Sequence, residues 1–110
     1  MDNLISIMEA IGLPYAYDHF AEGESPAPPF ICFLCPGSDN FAADGKVYFK
    51  IDLVHIELYT DEKNPVIENR VESVLDECGI FYDKTEIWIE SERLYEVLYS
   101  FELEVKTNEQ

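Results

Sequence analysis

The sequence predicts an α+β fold: an antiparallel sheet of four to five strands packed against two helices, in the order α-β-β-α-β-β. Three observations carry this expectation. Apolar residues recur at helical spacing in two segments, each bounded by capping or stop signals. Strand-like apolar or alternating runs lie between and after those segments, and Gly, Pro and Asx clusters punctuate the junctions. With 110 residues, the chain has room for one domain, placed at 1–105, with a short frayed tail at 106–110.

Asp2 or Asn3 can cap the first helix, Leu4, Ile7, Met8 and Ile11 form its apolar stripe, and Gly12 with Pro14 stops it. Tyr15 to Tyr17 extends briefly, and the polar, proline-bearing stretch Asp18 to Pro29 reads as an irregular loop. Phe30 to Cys35 is a continuous apolar run ahead of Pro36-Gly37, as expected for a strand covered on both faces. The loop from Gly37 to Gly45 ends in Asp44-Gly45, which suits a tight hairpin turn into the next strand.

That next strand, Lys46 to Thr60, is unusually long. At ~3.3 Å per residue it would reach about 50 Å, far beyond the ~13 Å radius of gyration of a compact domain this size. Part of it must bend or leave the monomer's own core. Val47, Phe49, Ile51 and Leu53 share one face, after which the apolar set moves to Val54, Ile56 and Leu58. A change of parity turns the buried side over, which predicts a bulge or bend near Asp52 to Val54 and makes the first half a candidate for contact with another subunit.

Asp61 or Asn64 can cap the second helix, with Pro65 in its first turn, Ile67, Val71, Val74, Leu75 and Cys78 as its stripe, and Gly79 at its end. Ile80 to Tyr82 and Glu86 to Ile89 give one or two strand pieces. Arg93 to Val105 gives a last long strand with Tyr95, Val97, Tyr99, Phe101, Leu103 and Val105 on one side.

Charge narrows the function classes. Seven basic against 23 acidic residues leave a formal charge of −16, which repels duplex DNA and anionic membranes, so sequence-specific nucleic-acid binding is not expected. No apolar run approaches the ~18 residues of a membrane span. The N-terminus has no basic, apolar leader, and the odd count of three cysteines fits a reducing cytoplasm. The acidity then serves solubility, a basic partner, or a surface that DNA passes without adhering.

Motifs for chemistry are weak. Cys32 and Cys35 have dithiol spacing but lie in an apolar strand, where residues three apart face opposite ways. Zinc would need Cys78 with His19 or His55, and no second paired motif completes such a set. His55 reads as a strand residue on the polar face, His19 as a loop residue, and no serine has a nucleophile-elbow context. Gly45-Lys46 lacks the Ser/Thr and leading Gly of a phosphate loop, and Ala42 and Ile51 occupy positions where a calcium loop needs oxygen ligands. Glu102 and Glu104 have a spacing that glycosidase acids could use, but they alternate with Phe101, Leu103 and Val105 as the solvated side of a strand, and Glu90 and Glu92 fall in a turn. No enzyme, cofactor or metal is expected.

A short N-terminal helix ending in Gly12-Leu13-Pro14 is followed by Pro28-Pro29-Phe30 entering a strand and by Asp39-Asn40-Phe41-x-Ala43-Asp44-x-Lys46-Val47-Tyr48. Glu57-Leu58-Tyr59-Thr60 and Ile89-Glu90-Ser91-Glu92 complete a pattern over nearly the whole chain. The pattern resembles the tail-terminator, or tail-completion (head-tail joining), proteins of long-tailed, siphovirus-type phages and prophages of Gram-positive bacteria. The resemblance implies an α+β subunit that forms a homo-hexameric ring, caps the completed tail tube and joins it to the head connector. It implies assembly in the host cytoplasm and a final place in the tail-neck region of the virion. The implied partners are further copies of the chain, the tail-tube protein and the head-completion or connector protein. DNA would pass through without sequence-specific binding, and neither membrane, cofactor nor catalytic residue is implied.

Six copies would multiply the charge of −16 sixfold, and a bore carrying part of it would repel passing DNA. Asp39, Asn40, Phe41, Tyr48 and Lys50, around the first half of the long strand, and Trp88 are the candidate interface residues, since aromatic side chains anchor interfaces. The plainer reading of the aromatics is core packing. The rival expectation is a small acidic adaptor or DNA mimic that binds a basic partner surface as a monomer or dimer, with steep salt dependence.

Overall fold

A computed structural model describes residues 2–43 and 46–105, with side chains described for residues 3–40 and 50–104. Its elements are α1 (Asp2–Ile11), β1 (Tyr15–Tyr17), β2 (Phe30–Ser38), β3 (Phe41–Ala43), β4 (Lys46–Thr60), α2 (Pro65–Glu77), β5 (Asp83–Ile89) and β6 (Leu94–Val105). The class is α+β, and the order of the main elements follows the expected one. The sheet runs β1-β2-β4-β6-β5, with β3 paired to β4 alone. It is mixed, where a purely antiparallel sheet was expected: β1 lies parallel to β2, with Tyr15 opposite Ile31 and Tyr17 opposite Phe33. A same-direction neighbour needs a long connection, and the 18–29 loop is long enough to supply it.

Each helix ends where its sequence signals place the end. At α1, Gly12 turns with φ +80, and Arg70 of α2 donates from Nε to the Ile11 carbonyl at 2.7 Å and from Nη2 to the Gly12 carbonyl at 3.4 Å. These bonds satisfy acceptors that a helix end otherwise leaves open. Asn64, not Asp61, caps α2: its Oδ1 accepts the Ile67 N–H at 3.2 Å, and Pro65 opens the helix. At the other end Gly79 turns with φ +71 and donates to the Asp76 carbonyl, while Ile80 donates to that of Leu75, both at 3.0 Å. This paired closure draws Ile80 into the helix cap, so the expected Ile80–Tyr82 strand piece does not form. β5 starts at Asp83 instead, and Phe81 stays 91% exposed.

Both helices pack on one face of the sheet. Ile7, Met8 and Ile11 of α1 and Val71 and Leu75 of α2 meet Ile31, Phe33, Val54, Ile56, Leu58, Val97 and Tyr99 from three central strands. The first residues of β2 are buried on both faces, as their apolar run predicts: the Phe20 ring meets Phe30 edge-on at 5.4 Å, and Tyr59 stacks on it at 5.2 Å.

The long strand corrects one expectation. β4 has no bulge at Asp52–Val54 against β6, because its register runs unbroken from Lys50 opposite Val105 to Thr60 opposite Tyr95. The irregularity sits across from it in β2, between Leu34 and Gly37, and spans Pro36. A proline nitrogen has no hydrogen for the ladder, so the extra residue is accommodated there. Val54, Ile56, Leu58 and Thr60 therefore face the helix-covered core, and Ile51 to Tyr59 at odd positions face the opposite, outer side. Residues 46–49 pair only with β3 among the described residues, forming an arm past the end of β6. The molecule measures 50 × 30 × 22 Å with a radius of gyration of 15.4 Å, against about 13 Å for a compact domain of similar length. The expected Asp44-Gly45 turn and the 106–110 tail lie outside the described residues.

Candidate functional site

The six expected interface residues separate into two groups at opposite ends of the sheet. Asp39, Asn40 and Lys50 are exposed at the root of the arm. The Asp39 N–H donates to the Ile51 carbonyl at 2.9 Å, and Asn40 Oδ1 accepts the Ile51 N–H at 3.1 Å. Asn40 thus lends a side-chain acceptor where β2 hands over to β3, so it has a structural task in anchoring the arm. Phe41 stands opposite Phe49 in the β3–β4 pairing, and Tyr48 lies on the same stretch of β4. The side chains of Phe41 and Tyr48 lie outside the described residues.

Trp88 is far from this group. It pairs with Tyr95 on β6, ten residues from the Val105 that faces Lys50, which is about 33 Å of strand. Its ring meets Tyr95 edge-on at 4.8 Å, its Nε1 donates to Glu90 Oε1 at 2.7 Å, and it remains 40% exposed. Its strand, β5, forms one edge of the sheet, with Ile87 exposed beside it. An uncovered edge strand offers backbone groups for pairing with another chain.

Between these ends, the outer face of the sheet carries a cluster that sequence reading did not single out. Tyr59 Oη lies 3.0 Å from Glu57 Oε1 and 3.4 Å from Glu96 Oε2. Glu57 and Tyr59 alternate on β4, and register sets Glu96 directly opposite Tyr59 on β6. Burial raises the Glu57 carboxyl above the ordinary glutamate range, a rise that the Tyr59 hydrogen bond opposes and the Glu96 charge reinforces. Burial, helped by the charges of Glu57 and Glu96, likewise raises the Tyr59 phenol. Beside them, burial and then the Glu57 charge push the Cys32 thiol up to about 11, which makes it a poor nucleophile. Cys35 packs on the helix side, so Cys32 and Cys35 do face opposite ways. The one sequence signal for this cluster was Glu57 and Tyr59 at strand spacing; its third member comes from a strand 37 residues further on.

A second charged cluster lies on the helix side. Lys84 Nζ is 2.9 Å from Glu68 Oε1 and 2.6 Å from Glu72 Oε2, and Lys63 Nζ is 2.8 Å from Glu68 Oε2 and also pairs with Glu86. Lys63 meets Glu68 Oε2 as an ion pair outside hydrogen-bond geometry. Burial alone would raise the Glu68 carboxyl, but the two lysines outweigh it and hold it below the ordinary range. Tyr99 Oη donates to Glu72 Oε2 at 2.8 Å, tying the network to the core. This cluster is closed upon itself and fastens β5 to α2.

An apolar cleft of about 260 Å³ opens between the helices, lined by Ile7, Ala10, Val74, Cys78, Ile80 and Leu103 with Asn3 and Ser6. Among the described residues, no group of three or more His, Cys, Asp or Glu has the geometry to hold a metal ion, and no helix is long and apolar enough to cross a membrane. No protein-family model matches the chain, and comparison with curated proteins gives no match.

Proposed function

We propose that this chain is a structural phage protein that caps the completed tail tube and helps join the tail to the head connector, as a hexameric ring with an acidic DNA passage. The observation that carries the reading is the elongated subunit, 50 Å in its longest dimension, with an arm at one end and an uncovered edge strand at the other. A ring needs two different, complementary surfaces on each copy, because its contacts are head-to-tail. The two exposed groups, Asp39, Asn40 and Lys50 at the arm and Trp88 on β5, stand at such separate places. The formal charge of −16 suits a channel that DNA crosses without adhering.

On this reading the chain is not an enzyme. The desolvated acid, Glu57, sits on a sheet face beside a phenol and a second acid, and among the described residues no activated nucleophile lies in reach. Its partners are its own copies, the tail-tube protein and the head-completion or connector protein, with assembly in the host cytoplasm and final residence at the tail neck. The test is electron microscopy of particles made without the protein: tails of undefined length that fail to join heads are expected, and normal joined tails would overturn the reading.

One observation favours the acidic adaptor instead. The half-buried Glu57 and Glu96 face outward with no Lys or Arg at ion-pair distance among the described residues, and only His55 bears on Glu57 from the same face. An adaptor would bind a basic protein as a monomer with affinity falling steeply with salt, whereas a terminator occupies tube ends as a ring.

A further inference from the structure

We propose that the open edge of β6 from Phe101 to Val105 is a docking slot for an extended segment of another protein, one in which apolar and basic residues alternate. The inference goes beyond the ring and adaptor readings and depends on neither.

The slot exists because β5 stops short of the end of β6. β5 begins at Asp83, opposite Ser100, whereas β6 runs on to Val105. By the same register Tyr82, Phe81 and Ile80 would continue the ladder opposite Phe101, Glu102 and Leu103. The chain turns away instead: Ile80 donates to the Leu75 carbonyl in the cap of α2, and Tyr82 packs edge-on against Tyr99. A notch of about 760 Å³ remains between Gly79–Phe81 and β6.

The ladder fixes which backbone groups face that notch, because successive residues of an antiparallel strand turn their N–H and C=O to opposite sides. Ile51 bonds to Asp39 and Asn40, away from β6. Lys50, Asp52 and Val54 therefore bond toward β6, and Val105, Leu103 and Phe101 opposite them bond back. Glu102 and Glu104 are left to present N–H and C=O to the notch, where no backbone group meets them among the described residues. Donors and acceptors alternating along about 16 Å of strand are what a further strand pairs with.

Strand alternation also fixes what the added segment carries. Leu103 faces the helices and lines the apolar cleft with Ile7, Ala10 and Val74, and this cleft joins the notch at Cys78 and Ile80. A side chain opposite Leu103 points at that cleft, so it is apolar. Glu102, Glu104 and Asp83 share the outer face and enter no ion pair among the described residues; His55, opposite Ser100, stands beside them. Side chains opposite these acids are lysine or arginine. A second β6 at this edge would set Glu102 and Glu104 against their like, in a chain of formal charge −16. The occupant is thus a different, basic protein.

Fluorescence anisotropy with a labelled peptide of alternating valine and lysine tests the slot, against a peptide of the same composition with its lysines and valines in separate blocks. The alternating peptide is expected to bind about tenfold or more tighter than the block peptide. Glu102→Gln/Glu104→Gln, which changes only exposed side chains, is expected to weaken it about tenfold. Amide hydrogen exchange of the complex, read by NMR, is expected to slow at Glu102 and Glu104 and to stay unchanged at Leu103, which already bonds to β4. Equal affinity for the two peptides, or binding that leaves exchange at Glu102 and Glu104 as it was, would overturn the inference. Protection of those two amides in the protein alone, rising with its concentration, would also overturn it, by giving the slot to a second copy.

Discussion

Replacing Lys84 with methionine tests how the Glu68 network holds β5 to α2. Methionine keeps much of the lysine stem and its packing over the Tyr99 ring, whose centroid is 5.9 Å from Lys84 Nζ, but removes the charge. Glu68, whose side chain is only 5% exposed, then keeps Lys63 alone, and Glu72 loses its lysine while facing Glu68 one turn away on α2. Breaking a fully buried pair by removing one partner costs about 3–5 kcal/mol. The Lys84 side chain is 35% exposed, so screening and the remaining Lys63 reduce this to roughly 2 kcal/mol, a Tm drop of roughly 10 °C in a domain of this size. Glu68→Leu removes the desolvated charge instead. Lys63 keeps Glu86, Lys84 keeps Glu72, and both reach water, so its cost is expected within about 1 kcal/mol of zero. Urea titration followed by circular dichroism measures both. If Glu68→Leu proves the more damaging change, the reasoning about the stranded buried carboxylate fails.

The remaining predictions concern other places in the same fold. Thr60 Oγ1 is buried without a partner among the described residues, so Thr60→Val is expected to stabilise by about 1 kcal/mol; a loss of similar size in thermal melts would show that the hydroxyl has a partner. Gly12→Ala is expected to cost about 2 kcal/mol, because φ is +80 and the new Cβ would come 2.8 Å from Arg70 Nη2. Gly79→Ala, with φ +71 and open space, is expected to cost about 1 kcal/mol, and equal losses would remove Arg70 from the explanation. The two shifted glutamates give opposite pH signatures. Glu57 is raised in the folded state, so its contribution is present below the ordinary glutamate pKa and lost as pH rises through its own higher value; Glu57→Gln should flatten that loss. Glu68 is lowered, so its contribution is present above the ordinary value and lost as pH falls through its own; Glu68→Leu should flatten the acid limb. Stability against pH for the two variants checks both signs, and a change on the same limb in each would contradict the assignment.

How far the chain could be read beforehand depended on the range of the interaction involved. Helix limits are local chemistry, so Gly12, Asn64 with Pro65 and Gly79 were legible as stops and caps. The parity change along β4 was legible too, but periodicity reports which face is apolar, not whether the backbone bulges. Ile51 and Leu53 are half-buried on the outer face while Val54, Ile56 and Leu58 fill the inner one, and a straight strand satisfies both. The irregularity across from Asp52–Val54 fell at Pro36, where a missing donor was visible in the sequence but its partner strand was not, and a second register shift lies in the arm, between Phe41 and Ala42 against β4. The parallel β1 was hidden for a similar reason: three residues, Tyr15 to Tyr17, take their direction from the strand they join. Of the candidate residues, Trp88 and the arm could each be named, yet their separation follows only from the β5–β6–β4 register. Glu96 is set opposite Tyr59 by that same register, which is why the acid pair was not foreseen.

On the ring reading proposed above, the chain self-associates through two different surfaces of one elongated subunit. Electron microscopy with mass measurement, on the purified protein and on the protein added to tail tubes, tests it most directly. Closed rings, free or seated on tube ends, are the predicted result. Monomers throughout, with tube ends left bare, would contradict it.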